Sequence, residues 1–177
     1  TIALGDVTNE QKENFTLVLK GHINIASAIF PNGTNGSQID VLARINLWRN
    51  FKDYKHGTGH GVGFCLNVHE GPHGISKHYK AAFVENMVVS NEPGFYKKNA
   101  YGIRIESLVY VKKINNEFLG FETLTKAPID LKLIKKELLN REEISWLNNY
   151  HEEVYSEISP YLDKNEKSWL KKQTRKI

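Results

Sequence analysis

The chain has 177 residues, of which 40% are hydrophobic and 25% charged, and its net charge is +4. This composition is ordinary for a folded globular protein and excludes a disordered chain, a collagen-like fibre and a disulfide-stapled miniprotein. No apolar run approaches the roughly 18 residues that cross a bilayer, and a single cysteine, Cys65, favours a reducing compartment, so we expect a cytoplasmic protein that does not enter a membrane.

Two helices are predicted in the first 50 residues. Apolar residues recur at helical spacing over 8–30, where Thr8 followed by Gln11 is typical of a capping box. The turn-rich segment 31–36 ends this helix, and Ser37 is the predicted cap of the second. The second helix should bury a stripe formed by Ile39, Leu42, Ala43, Ile45 and Leu47.

Strands follow the helices, and the chain then becomes helical again. Aliphatic and β-branched residues predict strands over 87–91, 102–111 and 118–125. Beyond Pro128, Asn140 and Glu143 have capping-box spacing and start a helix, and a short last helix is predicted over 166–172. Helices and strands that are segregated along the chain indicate an α+β fold with a helical C-terminal appendage.

The segment 56–74 holds six of the thirteen glycines and four of the seven histidines. Alternate glycines over 57–63 exclude a helix interior, because each costs close to 1 kcal/mol there relative to alanine. In an extended chain His56 and His60 lie on the same face, with small residues between them that would let a ligand approach the backbone. A phosphate-binding loop is not supported, since no Gly-Lys-Ser/Thr ends the run.

Two glutamates form the second candidate group. Glu92 lies before a Pro-Gly turn, and Glu106 lies in an otherwise apolar run in which we expect it to be buried. A buried carboxylate needs a compensating charge, which either Arg104 or a bound cation would supply. Together His60, Glu92 and Glu106 make a nitrogen-and-carboxylate set that suits a divalent metal. The other histidines, namely His22, His73, His78 and His151, are interpreted as structural or as polar surface residues.

These motifs resemble those of a known enzyme family. The stretch 56–72 is similar to the histidine motif of the aminopeptidase P (Xaa-Pro aminopeptidase) branch of the M24 metallopeptidases, and 91–94 with 102–106 resemble its two glutamate motifs. The resemblance implies the C-terminal portion of a pita-bread fold, with a partial catalytic domain over 1–127 and a C-terminal helical extension over 128–177.

The resemblance also implies a site. Members of this family are hydrolases with two metal ions, commonly manganese, that are held by five protein ligands. The resemblance matches His60, Glu92 and Glu106 to three of these ligands. His56 and His69 match catalytic, substrate-binding histidines that do not bind metal, and Arg104 matches a supporting residue. The two aspartate ligands have no match here, since neither Asp6 nor Asp40 has the matching context. We therefore expect this chain to be inactive by itself.

The implied activity of the complete protein is removal of an N-terminal residue that precedes proline. The expected partners are peptides with proline in the second position, and the full-length protein is expected to be a homodimer. One alternative is a non-catalytic M24-fold module that binds peptides or proteins. Another is a structural fragment whose basic C-terminal tail binds RNA, but no basic–aromatic pattern favours nucleic acid.

Overall fold

The computed structural model describes residues 1–65 and 67–177, so Leu66 of the histidine-rich segment lies outside the described residues. The helices are α1 (Asn9–Ala26), α2 (Gly36–Trp48), α3 (Arg141–Ile158) and α4 (Lys164–Gln173). The strands are β1 (Ile29–Pro31), β2 (Gly59–His60), β3 (Gly74–Ile75), β4 (Val88–Asn91), β5 (Gly94–Lys97), β6 (Tyr101–Arg104), β7 (Ser107–Lys113) and β8 (Phe118–Thr123). This arrangement confirms the predicted α+β class.

The chain divides into two compact units. One consists of Thr1–Thr16 with Lys126–Ile177, and the other is Leu17–Thr125. The second unit contains all the strands and every predicted site residue. The boundary predicted between residues 127 and 128 stays a prediction. Over the part of the chain that the structure describes, no helix has both the length and the apolarity that a membrane crossing requires.

The core of the larger unit lies against a four-stranded antiparallel sheet with the order β1-β8-β7-β4. Phe30, Phe83 and Phe121 meet at its centre, with ring centroids 5.1 to 5.6 Å apart. Val89, Val109 and the other buried aliphatic side chains of the sheet surround them. Full burial of each large apolar side chain contributes about 1.5–3 kcal/mol, so this core anchors the strands that carry the site.

A long hairpin leads from this sheet to the candidate site. β4 pairs with β7, β5 pairs with β6, and both ladders have the same register. The two ladders are separated by Glu92 and Pro93 on one strand and by two residues opposite. Proline has no N–H to donate to a ladder, and only its carbonyl pairs, accepting from Ile105 at 3.3 Å. The predicted continuous strand over 102–111 is therefore wrong, because it divides into β6 and β7.

The first two helices form as predicted but with different ends. Thr8 and Gln11 make the reciprocal capping-box hydrogen bonds at the start of α1. α1 ends at Ala26, earlier than predicted, because Ile29–Pro31 pairs with β8. Asn35, not Ser37, caps α2, since the Asn35 side chain accepts the N–H of Ser37. The buried stripe of α2 is confirmed for Ile39, Ala43 and Leu47.

In the smaller unit, Asn140 and Glu143 form the predicted capping box of α3. The buried face of α3 is also confirmed, with Leu147 and Val154 inaccessible to solvent. α4 begins two residues earlier than predicted, because the Asp163 side chain accepts the first free N–H groups of the helix.

His151 on α3 is expected to make folding pH-dependent. Its Nε2 accepts the Ile129 N–H at 3.0 Å. Burial lowers the pKa of His151 to about 4, and the Arg175 charge acts in the same direction. Between pH 6.5, the ordinary histidine pKa, and 4, the unfolded chain binds a proton that the folded chain excludes. The contribution of neutral His151 to the free energy of unfolding is therefore complete above pH 6.5. As the pH decreases to 4, the free energy of unfolding falls by up to roughly 3 kcal/mol.

Chemical denaturation of the 177-residue chain from pH 7.5 to pH 4 measures this effect. His151→Gln keeps an acceptor near the Nε2 position but does not titrate, so its loss of stability on acidification should be smaller by that amount. His78→Gln, at an exposed histidine, is the control and should follow the wild type. Equal acid sensitivity of His151→Gln and the wild type would contradict the assignment.

Candidate metal centre

The histidine-bearing segment passes very close to its neighbours. β2 pairs with β3, and on its other side the Glu92 N–H donates to the Thr58 carbonyl at 2.7 Å. A Cβ on Gly59 would lie 1.8 Å from the Ser90 carbonyl oxygen, and one on Gly61 would lie 1.9 Å from that of Glu70. At these two positions the glycines thus admit the protein's own backbone, not a ligand as the sequence suggested. Close strand contact is what carries His60 to the glutamate hairpin.

A cavity of about 460 Å³ collects most of the predicted site residues. It is lined by His56, Gly57, Gly59, His60, His69, Ser76, His78, Tyr79, Glu92 and Arg104. The histidine motif, the first glutamate motif and the arginine therefore face one space, although they come from three separate segments of the chain.

His60 and Glu92 make direct contact. Nε2 of His60 lies 3.2 Å from Oε1 of Glu92, and Nδ1 of His60 lies 3.0 Å from the Gly61 carbonyl. A carbonyl only accepts, so the Nδ1 proton is directed to Gly61 and the Nε2 lone pair faces the carboxylate. Two acceptors that face each other need a cation or a proton between them, and a histidine oriented by a backbone carbonyl is the usual arrangement of a metal ligand.

Glu92 is 8% exposed and both of its carboxylate oxygens have partners. The Ser90 hydroxyl donates to Oε1 at 3.0 Å, and Nη1 of Arg104 lies 3.3 Å from Oε2. The Ser90 hydroxyl in turn accepts a hydrogen bond from the backbone N–H of His60 at 2.9 Å. Through Ser90 these contacts fix the Glu92 carboxylate relative to the His60 backbone.

Glu106 differs from the prediction. It was expected to be buried in a strand but is exposed, in the two-residue link between β6 and β7. The hairpin register continued through the interruption places it opposite Glu92, on the same face. It does not line the cavity, and within residues 1–65 and 67–177 no group of three or more His, Cys, Asp or Glu side chains is arranged to hold a metal. Metal binding by Glu106 stays a prediction.

His56 belongs to a hydrogen-bonded chain that the sequence did not indicate. Nε of Arg104 donates to the Tyr96 hydroxyl at 2.9 Å, and that hydroxyl lies 3.0 Å from Nε2 of His56. Nδ1 of His56 lies 2.7 Å from the Gly57 carbonyl, so Tyr96 donates its proton to His56. To hydrogen-bond a substrate, His56 would have to exchange this partner. Tyr96 has four-residue spacing from Glu92, but spacing alone did not distinguish it from other tyrosines.

Of the remaining histidines, His69 and His78 lie at the cavity, whereas His73 and His22 are buried. The exposed His69 ring contacts the His60 ring, with centroids 3.9 Å apart, and His78 lies at the edge of the same cavity. His73 was predicted to lie in a surface loop but is only 7% exposed, since it lies between two backbone segments: its carbonyl accepts the Gly61 N–H at 3.0 Å and its Nε2 donates to the Val88 carbonyl at 2.7 Å. His22 is buried, which lowers its pKa to about 4 and leaves it neutral. The interpretation of His78 as a polar surface residue stays a prediction.

Comparison with known families identifies the class of protein. Residues 1–113 match the model of metallopeptidase family M24, and residues 117–177 match that of the C-terminal region of peptidase M24. The chain therefore belongs to metallopeptidase family M24.

The relatives place the chain near aminopeptidase P, as the motifs implied. It is 46% identical to aminopeptidase P1 of Lotus japonicus, covering 100% of this chain and 28% of the relative. It is 51% identical to a probable Xaa-Pro aminopeptidase P of Coprinopsis cinerea, covering 95% and 29%. The chain thus spans less than a third of the length of these relatives.

Solved structures confirm the fold. An X-prolyl aminopeptidase from Caenorhabditis elegans, described as a cytosolic enzyme with a di-nuclear active site, superposes with a TM-score of 0.91 at 44% identity. That match covers 97% of this chain and 29% of the other. The prolidase from Pyrococcus furiosus superposes with a TM-score of 0.64 at 30% identity, covering 72% and 36%. The predicted C-terminal portion of a pita-bread fold is therefore confirmed.

Proposed function

We propose that the full-length protein is a metal-dependent exopeptidase that releases an N-terminal residue preceding proline. The observation that carries this proposal is the contact between His60 and Glu92, in which a histidine nitrogen and a carboxylate oxygen face each other at 3.2 Å. Relatives named as Xaa-Pro aminopeptidases support the substrate class. The C. elegans relative, described as cytosolic, supports a cytoplasmic location, and the homodimer stays a prediction.

The donor atoms present fit two divalent cations in part. His60 and Glu92 would hold them here, with Glu106 as a further ligand from the opposite strand, and the remaining carboxylates would come from parts of the protein outside this chain. Nitrogen and carboxylate donors suit a borderline or hard cation, and we propose manganese. When bound, such a pair lowers the pKa of a water and polarises the scissile carbonyl.

The side chains around the cavity would bind and orient the peptide. His69 is exposed at the cavity beside His60, so its imidazole can donate a hydrogen bond to the substrate carbonyl and to the charge that develops on its oxygen. Arg104 and Ser90 contact the two oxygens of the Glu92 carboxylate and fix its direction. Because the X–Pro amide nitrogen carries no hydrogen, recognition depends on the proline ring and the neighbouring carbonyl.

The proposal is tested by comparing the full-length protein with this 177-residue chain. With added Mn²⁺ and an X-Pro peptide, the full-length protein should release the first residue. The chain alone should show no activity, because two carboxylates carry about −2 against about +4 for two divalent cations, which leaves their charge uncompensated.

An X-Ala peptide and a chelator serve as controls, and the full-length protein should be inactive in both. Equal activity of the chain and the full-length protein would contradict the expected ligand count. Tight binding of X-Pro peptides by the full-length protein without cleavage, at saturating Mn²⁺, would favour the alternative of a non-catalytic peptide-binding module.

A further inference from the structure

α2 carries a buried ion pair, Asp40 with Arg44, that no part of the proposed function uses. Nε of Arg44 donates to Oδ2 of Asp40 at 2.8 Å, and the two side chains are 10% and 11% exposed. The pair has i,i+4 spacing on the helix. A charge this buried is costly unless it is paired and hydrogen-bonded. The other hydrogen bonds of Arg44 and Asp40 therefore indicate which parts of the chain the ion pair holds in place.

Arg44 reaches the segment that carries His56. Its Nη1 donates to the Tyr54 carbonyl at 2.7 Å and to Asp53 at 2.9 Å, and its Nη2 donates to the His56 carbonyl at 2.8 Å. The guanidinium also lies over the Tyr54 ring, 3.9 Å from its centroid. The Tyr54 and His56 rings are in contact, with centroids 4.7 Å apart. A planar guanidinium thus fixes the backbone on both sides of residue 55.

Asp40 contacts Thr58, whose backbone is hydrogen-bonded to Glu92. Its Oδ1 accepts from the Thr58 hydroxyl at 2.5 Å, and the Tyr54 hydroxyl lies 2.5 Å from the same Thr58 oxygen. Burial raises the pKa of Tyr54, which keeps this hydroxyl protonated as a donor. The Thr58 carbonyl accepts the Glu92 N–H. The ion pair therefore connects to both sides of the cavity through one or two hydrogen bonds.

We propose that Arg44, held by Asp40, is a positioning residue that sets the orientation of His56 towards Tyr96 and the cavity. Arg44 holds the His56 backbone, from which the side chain extends, and the Tyr96 hydroxyl holds Nε2 at the far edge of the His56 ring. The catalytic consequence rests on the proposed function and on the substrate-binding role that the family resemblance implies for His56, whereas the structural consequence rests on neither. Both are measurable in the full-length protein.

The test uses Arg44→Lys, which keeps the charge but loses the planar fork, and Asp40→Asn, which keeps the size. In a crystal structure of either variant, the distance from His56 Nε2 to the Tyr96 hydroxyl should exceed 3.5 Å. On X-Pro peptides kcat should fall about 10- to 100-fold, as expected for a misplaced group, with KM and metal content little changed.

A double-mutant cycle separates positioning from general destabilisation. If Arg44 acts through His56, Arg44→Lys should lower kcat by less than about threefold when His56→Ala is already present. Leu47→Ala is the matched control, since Leu47 is fully buried on the same helix. It should lower the melting temperature but change kcat of the folded protein by no more than about twofold.

Three results would overturn the inference: an unmoved His56 ring, the same fold-loss of kcat with and without His56, or an equal loss of kcat in Leu47→Ala. Failure of the proposed function gives a different pattern. The wild type would then not cleave X-Pro peptides, while the His56 ring would still be displaced in Arg44→Lys and Asp40→Asn.

Discussion

Replacing Glu92 by glutamine in the full-length protein is expected to lower its affinity for divalent metal by more than about 100-fold and to abolish X-Pro cleavage. Substitutions of residues that merely orient a ligand typically cost 10- to 100-fold in metal affinity, so loss of a ligand charge should exceed that range. The substitution preserves size, and Glu92 is packed between Ser90 and Arg104. Metal content measured after dialysis, together with kcat/KM, checks the prediction.

Two further glutamates make this experiment specific. Glu70→Gln removes an exposed carboxylate from the loop near His69 and should leave metal content and activity unchanged. Glu106→Gln addresses the predicted ligand that does not line the cavity. If Glu106 binds metal, its variant should lose metal like Glu92→Gln. Full metal content in Glu106→Gln would remove it from the ligand set, and full metal content in Glu92→Gln would contradict the metal centre itself.

His69→Ala is expected to lower kcat by about 10²- to 10³-fold while metal content stays at the wild-type level. The reason is that a hydrogen-bond donor aimed at developing negative charge typically contributes a factor of this size. His69 lies at the cavity against His60, and no hydrogen bond to it is present within the described residues, so its nitrogens are available to a substrate.

His78→Ala is the matched control for this prediction, because His78 lines the same cavity and has no proposed role. Its kcat should remain within about threefold of the wild type. A stoichiometric loss of metal in His69→Ala would instead make His69 a ligand. Equal losses of kcat in the two variants would indicate that the cavity wall as a whole, and not His69 in particular, affects the rate.

The sequence by itself determined the local features of this protein. The Asn140 cap and the apolar stripe of α2 follow from short-range spacing. The structure confirms the cap and the burial of Ile39, Ala43 and Leu47, whereas Leu42 and Ile45 are only half-buried. The motifs also identified the family, because several residues in fixed order carry more information than any one of them. The candidate residues His60 and Glu92 were found in this way, and their side chains do meet.

Only the tertiary structure decided which partners these residues have. Glu106 was predicted to be buried and is exposed, whereas His73 was predicted to lie at the surface and is buried. Burial of these side chains depends on where a strand is interrupted and on which backbone segment lies opposite. The contacts of Arg44 with the His56 carbonyl and of Tyr96 with the His56 ring join residues 12 and 40 positions apart. Such contacts depend on where α2 and the hairpin lie relative to the histidine-bearing segment in the folded chain, which no local pattern in the sequence encodes.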